Sequence, residues 1–398
     1  MGQEIRLNFS GGGFRATFYC LGGYRRLVEL GVHSYVTQLS SVSGGSIAAG
    51  AIMQGLTEGD FKDLRDFDHK VTTPLRRLGK INVRKILVKQ AYAPRLSNLK
   101  QLFKLRTRFS RLFPILLDKE LFNNQYICEL PTKPEWSCNT TCLNTMKRLR
   151  FKVVDCYGNL LGTTTDISDI KISLAVAASA AFPLMFAPIK VNTKGREFYD
   201  KYNSSVYSTI PETLYLTDGG VYDNLGSESI LKENGHFITM DASAGEECWT
   251  PDYNMSFSSG IWRLLNVSMN QIVNLRRRLL YLHSGSEGIQ LLIGHPIAEL
   301  RTNEVKIREH ERSLPVYSSD YQEIERLVAT LRTDLDSFKD IEMDTLMWSG
   351  AVRMDLAVKS LFPEIISEEK WLDTPKFPNY TYDEIIQTLK LGQTLKVF

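Results

Sequence analysis

The sequence predicts an α/β protein, a three-layer sandwich with a mostly parallel central sheet and helices on both faces. Two strand-to-helix junctions rich in glycine and serine, at residues 10–16 and 41–46, point to it. So does an apolar run that stops at Asp218-Gly219-Gly220.

The first junction opens with Ile5, Leu7 and Phe9 alternating with Arg6 and Asn8, the period of a strand. Gly11, Gly12 and Gly13 follow. A helical pattern then begins, with Phe18, Leu21, Leu27, Val28 and Leu30 apolar and Gly31 where a C-cap glycine belongs. Three glycines at a helix start leave backbone N–H groups free to face an oxyanion, with no Cβ in the way. Arg15, in the first helical turn, adds a planar cation able to clamp a phosphate or brace the turn. Gly11-x-Gly13-x-x-Ala16 also fits a dinucleotide-binding turn. That reading needs an acidic residue about 20 positions further on, and the segment Gln38-Leu39-Ser40-Ser41 supplies none.

The second junction starts from a short strand over Val36–Leu39. Ser43 sits in Ser41-Val42-Ser43-Gly44-Gly45, one residue from the Gly-x-Ser-x-Gly pattern of a nucleophile elbow. The strained backbone of such an elbow requires small residues two before and two after the serine, and Ser41 and Gly45 qualify. A helix from Ser46 through Ala48, Ala49, Ala51, Ile52 and Met53 would turn its N-terminus toward Ser43. A plain Ser/Gly loop is the competing interpretation. Far downstream, Leu214–Leu216 is an apolar run ending at Asp218, which could take the Ser43 proton as general base. Asp-Gly-Gly as a simple turn is the alternative.

Gly-Gly-Gly-x-Arg, the serine elbow and Asp-Gly-Gly, in this order, resemble the signature of the patatin-like phospholipases. The wording Ser-Gly-Gly-Gly-Phe-Arg-Ala is similar to the cytosolic phospholipase A2 branch. Ala175-Val-Ala-Ala-Ser-Ala-Ala-Phe-Pro183, Gly220-Val-Tyr-Asp-Asn-Leu-Gly226 and Arg332-Thr-Asp-Leu-Asp-Ser-Phe338 extend the likeness over most of the chain. The resemblance implies Ser43 as nucleophile, Asp218 as base and Gly11, Gly12 and Gly13 as the oxyanion hole, with no cofactor. Ser41 in place of the first elbow glycine is the one departure.

A serine–aspartate dyad needs no histidine. Of His33, His69, His236, His283, His295 and His310, only His236 follows Asp218 at a tempting distance, and it begins an apolar run. Cys138 and Cys142 have ligand-like spacing but no second pair, so no metal is expected. At 398 residues, 43% hydrophobic and net charge +3, the chain can bury a sizeable core. Neither a signal peptide nor a run of about 18 apolar residues is visible. The six cysteines lack a framework spacing. A cytoplasmic enzyme with peripheral membrane association is the expectation.

The charge is uneven. Between Lys70 and Arg111 stand 13 Lys or Arg, with no Asp or Glu from His69 to Leu117. Bulky apolar residues are interleaved. This composition predicts a cap or lid over residues 61–120 that faces an anionic phospholipid surface through Arg106, Arg108, Phe109, Arg111 and Phe113. A solvated cap and a nucleic-acid surface are the rivals, and no nucleic-acid motif accompanies the segment. The expected organisation is one catalytic domain over residues 1–398. Its core spans 1–60 and about 120–250, 61–120 is inserted, and 251–398 is mainly helical, with clear periodicity over Tyr321–Leu331 and Met343–Leu361 and a strand near Leu291–Ile293. The activity expected is release of fatty acids from phospholipids through an acyl-enzyme. A regulatory partner is conceivable on this reading. The alternatives are a non-catalytic lipid-binding protein on the same fold and a Ser-His-Asp esterase.

Overall fold

The computed structural model describes residues 4–90, 99–183, 185–199, 210–232, 235–243, 257–284, 288–300 and 318–394. Arg95 and His310 lie outside the described residues.

The strand Ile5–Phe9 (β1) is buried along its whole length and leads into helix Gly13–Glu29 (α1). Gly31, at φ 75°, ends α1 as the sequence predicts. Its N–H donates to Val28 O at 3.0 Å and that of Val32 to Leu27 O at 2.9 Å, the paired bonds of a glycine-terminated helix. The next strand, β2, runs Val36–Val42, three residues beyond the expected Leu39. The extension begins with two serines and is therefore silent in the hydrophobic pattern. It is stable because Ser40 Oγ donates to Gly226 O at 2.7 Å and Ser41 Oγ accepts from Trp136 Nε1 at 2.9 Å. Helix Gly44–Gly55 (α2) follows at once.

Helices Leu64–Phe67 (α3), Thr73–Gly79 (α4), Val83–Gln90 (α5) and Leu99–Leu117 (α6) form the basic segment. The next strands are Glu135–Cys142 (β3), Lys147–Phe151 (β4), Cys156–Gly158 (β5) and Gly162–Thr164 (β6). Helix Ile172–Ser179 (α7) precedes strands Ile189–Asn192 (β7) and Thr213–Asp218 (β8). After helix Gly220–Asp223 (α8) come strand Phe237–Asp241 (β9), helix Phe257–Ser284 (α9) and strand Gly288–Leu292 (β10). Helices Ser319–Ala329 (α10) and Asp340–Leu361 (α11) follow, then Glu368–Trp371 (α12) and Tyr382–Thr394 (α13).

The sheet order is β10-β9-β1-β2-β3-β4-β5-β6. From β10 to β3 every neighbouring pair is parallel; β4, β5 and β6 continue as an antiparallel meander. One edge of β3 is shared. Its first part pairs with β2, ending at Asn139 opposite Val42, and its last part pairs antiparallel with β8, beginning at Thr140 opposite Asp218. β2 and β8 therefore run toward each other along one strand and stop at adjacent registers.

The C-terminal region is woven into this core. β10 completes the parallel half of the sheet, and α11 lies along α1. Between these two helices Arg26 meets Asp355 at 2.7 Å, both side chains almost fully buried. Among the described residues no helix is long and apolar enough to cross a membrane.

The basic segment departs from expectation in one respect. Phe109 and Phe113 are buried, the second completely, and both pack on Phe186, Phe113 at a centroid distance of 5.0 Å. Neither faces a membrane. On α6, positions 106, 109, 110 and 113 share one face, and that face turns inward. Arg106 goes with it and donates from a terminal nitrogen to Phe186 O at 2.7 Å, while Arg108 and Arg111 are exposed. The 3.6-residue period thus separates Phe109 and Phe113 from Arg108 and Arg111, which are neighbours in sequence.

Phe113→Ala should therefore lower folding stability by about 3–5 kcal/mol, as for other buried aromatics. Arg108→Gln with Arg111→Gln should stay within about 0.5 kcal/mol. Urea unfolding followed by circular dichroism measures both, and an unchanged midpoint for Phe113→Ala would return this residue to the surface.

Candidate active site

The site lies beyond the C-terminal ends of β1 and β2. Phe9 and Ser10 deliver the chain into Gly11-Gly12-Gly13, and Gly12 (φ 137°) and Gly13 (φ 55°) adopt backbone conformations that side chains rarely tolerate. Space is equally restrictive. A Cβ on Gly13 would collide with the Thr333 carbonyl, and one on Gly44 with the Gly13 carbonyl. The glycine turn, the start of α2 and the segment after α10 are packed backbone against backbone. The N–H of Gly11 donates to Asn224 O at 2.9 Å and that of Phe14 to Asp334 O at 3.3 Å. Among the described residues the N–H groups of Gly12 and Gly13, between them, have no backbone acceptor. Gly11, expected among the oxyanion donors, is instead committed to holding the turn.

Ser43 has φ 51° and ψ −121°, a strained conformation for a residue with a side chain, and stands as N-cap of α2. Its N–H donates to Ser179 Oγ at 2.9 Å. Ser179 Oγ in turn donates to Asn139 O at 2.6 Å and lies 2.9 Å from Ser46 Oγ. Ser46 Oγ is 3.0 Å from Ser41 Oγ, the acceptor of the Trp136 indole. Ser41, the departure from the elbow pattern, is thus one member of a buried hydroxyl chain that reaches under the elbow. Thr17 Oγ1 ties α1 to the same turn by donating to Gly44 O at 2.8 Å.

Ser43 Oγ donates to Asp218 Oδ2 at 2.8 Å. Asp218 Oδ1 accepts the Gly220 N–H at 2.7 Å, so both carboxylate oxygens are oriented. Burial pushes the Asp218 carboxyl up to about 6, against the lowering effect of those two hydrogen bonds. A buried carboxylate with this affinity for protons, bonded to a serine hydroxyl on a strained turn, has the geometry needed for proton abstraction from that hydroxyl.

Arg15 is fully sequestered. One terminal nitrogen donates to Ala329 O at 3.0 Å and Leu331 O at 2.7 Å, and the other to Ala242 O at 2.7 Å. Burial lowers its guanidinium to about 10, with Asp241 opposing. These contacts bind α1, the end of β9 and the segment after α10 together, at the edge of the cleft that opens over Ser43.

A cleft of about 370 Å³ opens over Ser43 and Asp218. Its walls include Phe182, Met185 and Phe186, the α9 residues Trp262, Asn266 and Met269, and Leu331, Asp334 and Leu335. Asp334 carries a second raised carboxyl, pushed up to about 6 by burial. The sequence reading missed α9 and this last segment as parts of the site, along with Ser179 and Asn224. Arg332-Thr-Asp-Leu-Asp-Ser-Phe338, noted only as a family likeness, was the available signal for one wall. No described histidine lines the cleft. His236 precedes β9 at the opposite end of the strands, and its ring packs on Phe362 at 5.4 Å. Cys138 and Cys142 are buried in β3, and no group of three metal-binding side chains is found among the described residues.

A family model for patatin-like phospholipases matches residues 7–229, from β1 past Asp218. The chain belongs to the patatin-like phospholipase family. Among solved structures, human GIVD cytosolic phospholipase A2 is 13% identical over 98% of this chain and 60% of its own, with a TM-score of 0.49. The human enzyme in complex with methyl gamma-linolenyl fluorophosphonate gives 14% identity, 98% and 59% coverage and a TM-score of 0.44. VipD from Legionella pneumophila gives 12% identity, 97% and 90% coverage and a TM-score of 0.27. The chain thus spans about 60% of the human structures it matches. No curated protein sequence matches it. Family membership supports lipid acyl hydrolysis, and the patatin-like segment carries both Ser43 and Asp218.

Arg15→Lys in this patatin-like chain should cost about 1–3 kcal/mol of stability, because one ammonium cannot satisfy three carbonyls held in a planar fork. Turnover should fall by the same factor on a phospholipid and on a small neutral ester. A loss confined to the phospholipid would instead assign Arg15 to the phosphate.

Proposed function

We propose that this protein is a phospholipase A that releases fatty acids from membrane phospholipids through a Ser43–Asp218 dyad. The observation that carries the reading is the 2.8 Å bond from Ser43 Oγ to Asp218 Oδ2 at a serine with positive φ. Ser43 Oγ attacks the ester carbonyl carbon while Asp218 takes its proton. The N–H groups of Gly12 and Gly13 receive the oxyanion, each such donor contributing about 3 kcal/mol in comparable sites. Protonated Asp218 then returns its proton to the departing alkoxide, leaving fatty acyl on Ser43. Water, deprotonated by Asp218, attacks the acyl carbon; the bond to Ser43 breaks, Ser43 Oγ takes that proton back from Asp218, and the fatty acid leaves.

The same reading gives the whole chain one catalytic task. The 61–120 segment covers the core through α6, with Arg108 and Arg111 as the cations that meet an anionic bilayer. The segment after α10 forms a cleft wall, and Arg15 braces it. Peripheral attachment to a membrane is the mode of access to substrate. Position of His236 at the far end of the strands weighs against a Ser-His-Asp esterase.

Ser43→Ala and Asp218→Asn should each abolish fatty-acid release from phospholipid vesicles with the fold retained, and His236→Ala should remain active. A fluorophosphonate probe should label the wild type and not Ser43→Ala. An active Asp218→Asn beside a dead His236→Ala would overturn the dyad.

The pH dependence follows from Asp218. Its carboxyl titrates near 6 rather than 3.8, so the base is ionised at pH 7 and becomes protonated as pH falls through 6. The acid limb of kcat/KM should bend near pH 6 and drop tenfold per pH unit below it. A flat profile down to pH 4.5 would remove Asp218 as the base.

A further inference from the structure

Helix α9 presents two unlike sides. Trp262, Asn266, Met269 and Val273 line the cleft, and Leu280 continues that side into a buried cluster with Phe237. The opposite side carries Ile261, Leu264, Leu275 and Leu282, exposed by 38%, 69%, 55% and 78%. Their spacings of 3, 11 and 7 residues place them within one stripe at 100° per residue. A row of leucines this exposed is unusual on a surface that meets only water.

Charge selects the occupant. Residues 257–284 contain no Asp or Glu and four arginines. Arg276 and Arg277 fasten the helix inward through Glu228 and Asp241, each at 2.7 Å, while Arg278 is exposed beside the leucine stripe. Leucines on the outer face of a helix that has four arginines and no carboxylate of its own are the composition of a helix that lies in a bilayer interface. The cleft wall and the leucine stripe are two faces of the same helix.

We propose that the outer face of α9 is an interfacial helix that seats the cleft mouth on a phospholipid bilayer, the leucines entering the acyl boundary and Arg278 meeting lipid phosphates. This rests on the reading that the substrate is a membrane phospholipid. It places the apolar part of the membrane contact on α9 rather than on α6, whose aromatic residues are turned inward.

The test uses the full chain carrying Ser43→Ala, so that vesicles are not consumed. Sedimentation with mixed phosphatidylglycerol–phosphatidylcholine vesicles and with pure phosphatidylcholine vesicles compares this parent with Leu264→Gln, Leu275→Gln and Leu282→Gln combined. The triple variant should partition about a hundredfold less to both vesicle types. Arg278→Gln should weaken only binding to the phosphatidylglycerol vesicles, and added salt should erase that difference. In the active background the triple variant should keep turnover of a short-chain soluble ester while losing fatty-acid release from vesicles. Leu264→Gln with Leu282→Gln gives the same comparison, should the triple lose soluble-ester turnover. Vesicle binding within about threefold of the parent would overturn the proposal. So would a parent that sediments as a dimer and a variant that sediments as a monomer with vesicle binding unchanged, since the face would then belong to a second copy. Wild type that binds vesicles through α9 but releases no fatty acid would sink the hydrolase reading and leave the docking face standing. Equal vesicle hydrolysis by wild type and triple variant would do the reverse.

Discussion

The arrangement of the site depends on a shared strand edge. β3 offers one row of backbone donors and acceptors, and β2 and β8 occupy successive parts of it from opposite directions. Because residues in a strand advance about 3.3 Å each, two chains that stop at adjacent registers leave their next residues within side-chain reach. Val42 pairs at Asn139 and Asp218 at Thr140, so Ser43 Oγ and Asp218 Oδ2 meet at 2.8 Å across 175 residues of sequence. The sheet ladder specifies the distance. Neither side chain needs a long flexible stem to find the other, which keeps the entropy of ordering small.

The shared edge would not be enough without support beneath the turn. A serine at φ 51° is held only where surrounding contacts over-determine it. Here the support is polar and buried. Ser179 accepts the Ser43 N–H and donates to Asn139 O, on the strand residue that also marks where β2 ends. Arg15 performs the corresponding task for the glycine turn by gathering carbonyls from two distant segments. Such networks stabilise when complete and are costly when broken, so they fix one geometry more sharply than apolar packing would.

What was legible in the sequence is what is local. Gly11 to Gly13, Ser43 with its small neighbours, and Asp218 before two glycines each declare a backbone requirement within a few residues. The rest depends on packing partners that no window contains. The polar end of β2 is invisible to hydrophobic periodicity because its serines are satisfied by Trp136 and Gly226. Arg15 carries the same letter whether it grips a phosphate or three carbonyls. Phe109 and Phe113 sit among arginines in the sequence, yet on the helix they turn inward while Arg108 and Arg111 stay exposed. α9 falls in a region legible only as mainly helical, and that one side of it closes a cleft over Ser43 follows only from the docking of residues 257–284 against segments near 182 and 333.

A dyad asks more of its carboxylate than a triad does. On the proposed mechanism, without an imidazole, one group takes the proton from the serine and gives it back to the leaving group. A carboxyl at its ordinary 3.8 would be ionised at pH 7 but a weak base, and a poor match for either transfer. Burial supplies the difference here, since desolvation disfavours the charged form and carries Asp218 to about 6. The Gly220 N–H and the Ser43 hydroxyl pull the other way. The opposing effects leave a group ionised at rest yet within about one unit of the ambient pH, the condition under which transfer in both directions is effective. The burial of β8's last residue against β3 thus raises the carboxyl, and the Gly220 N–H fixes its orientation toward Ser43, so the basicity of the site and its geometry come from a single feature.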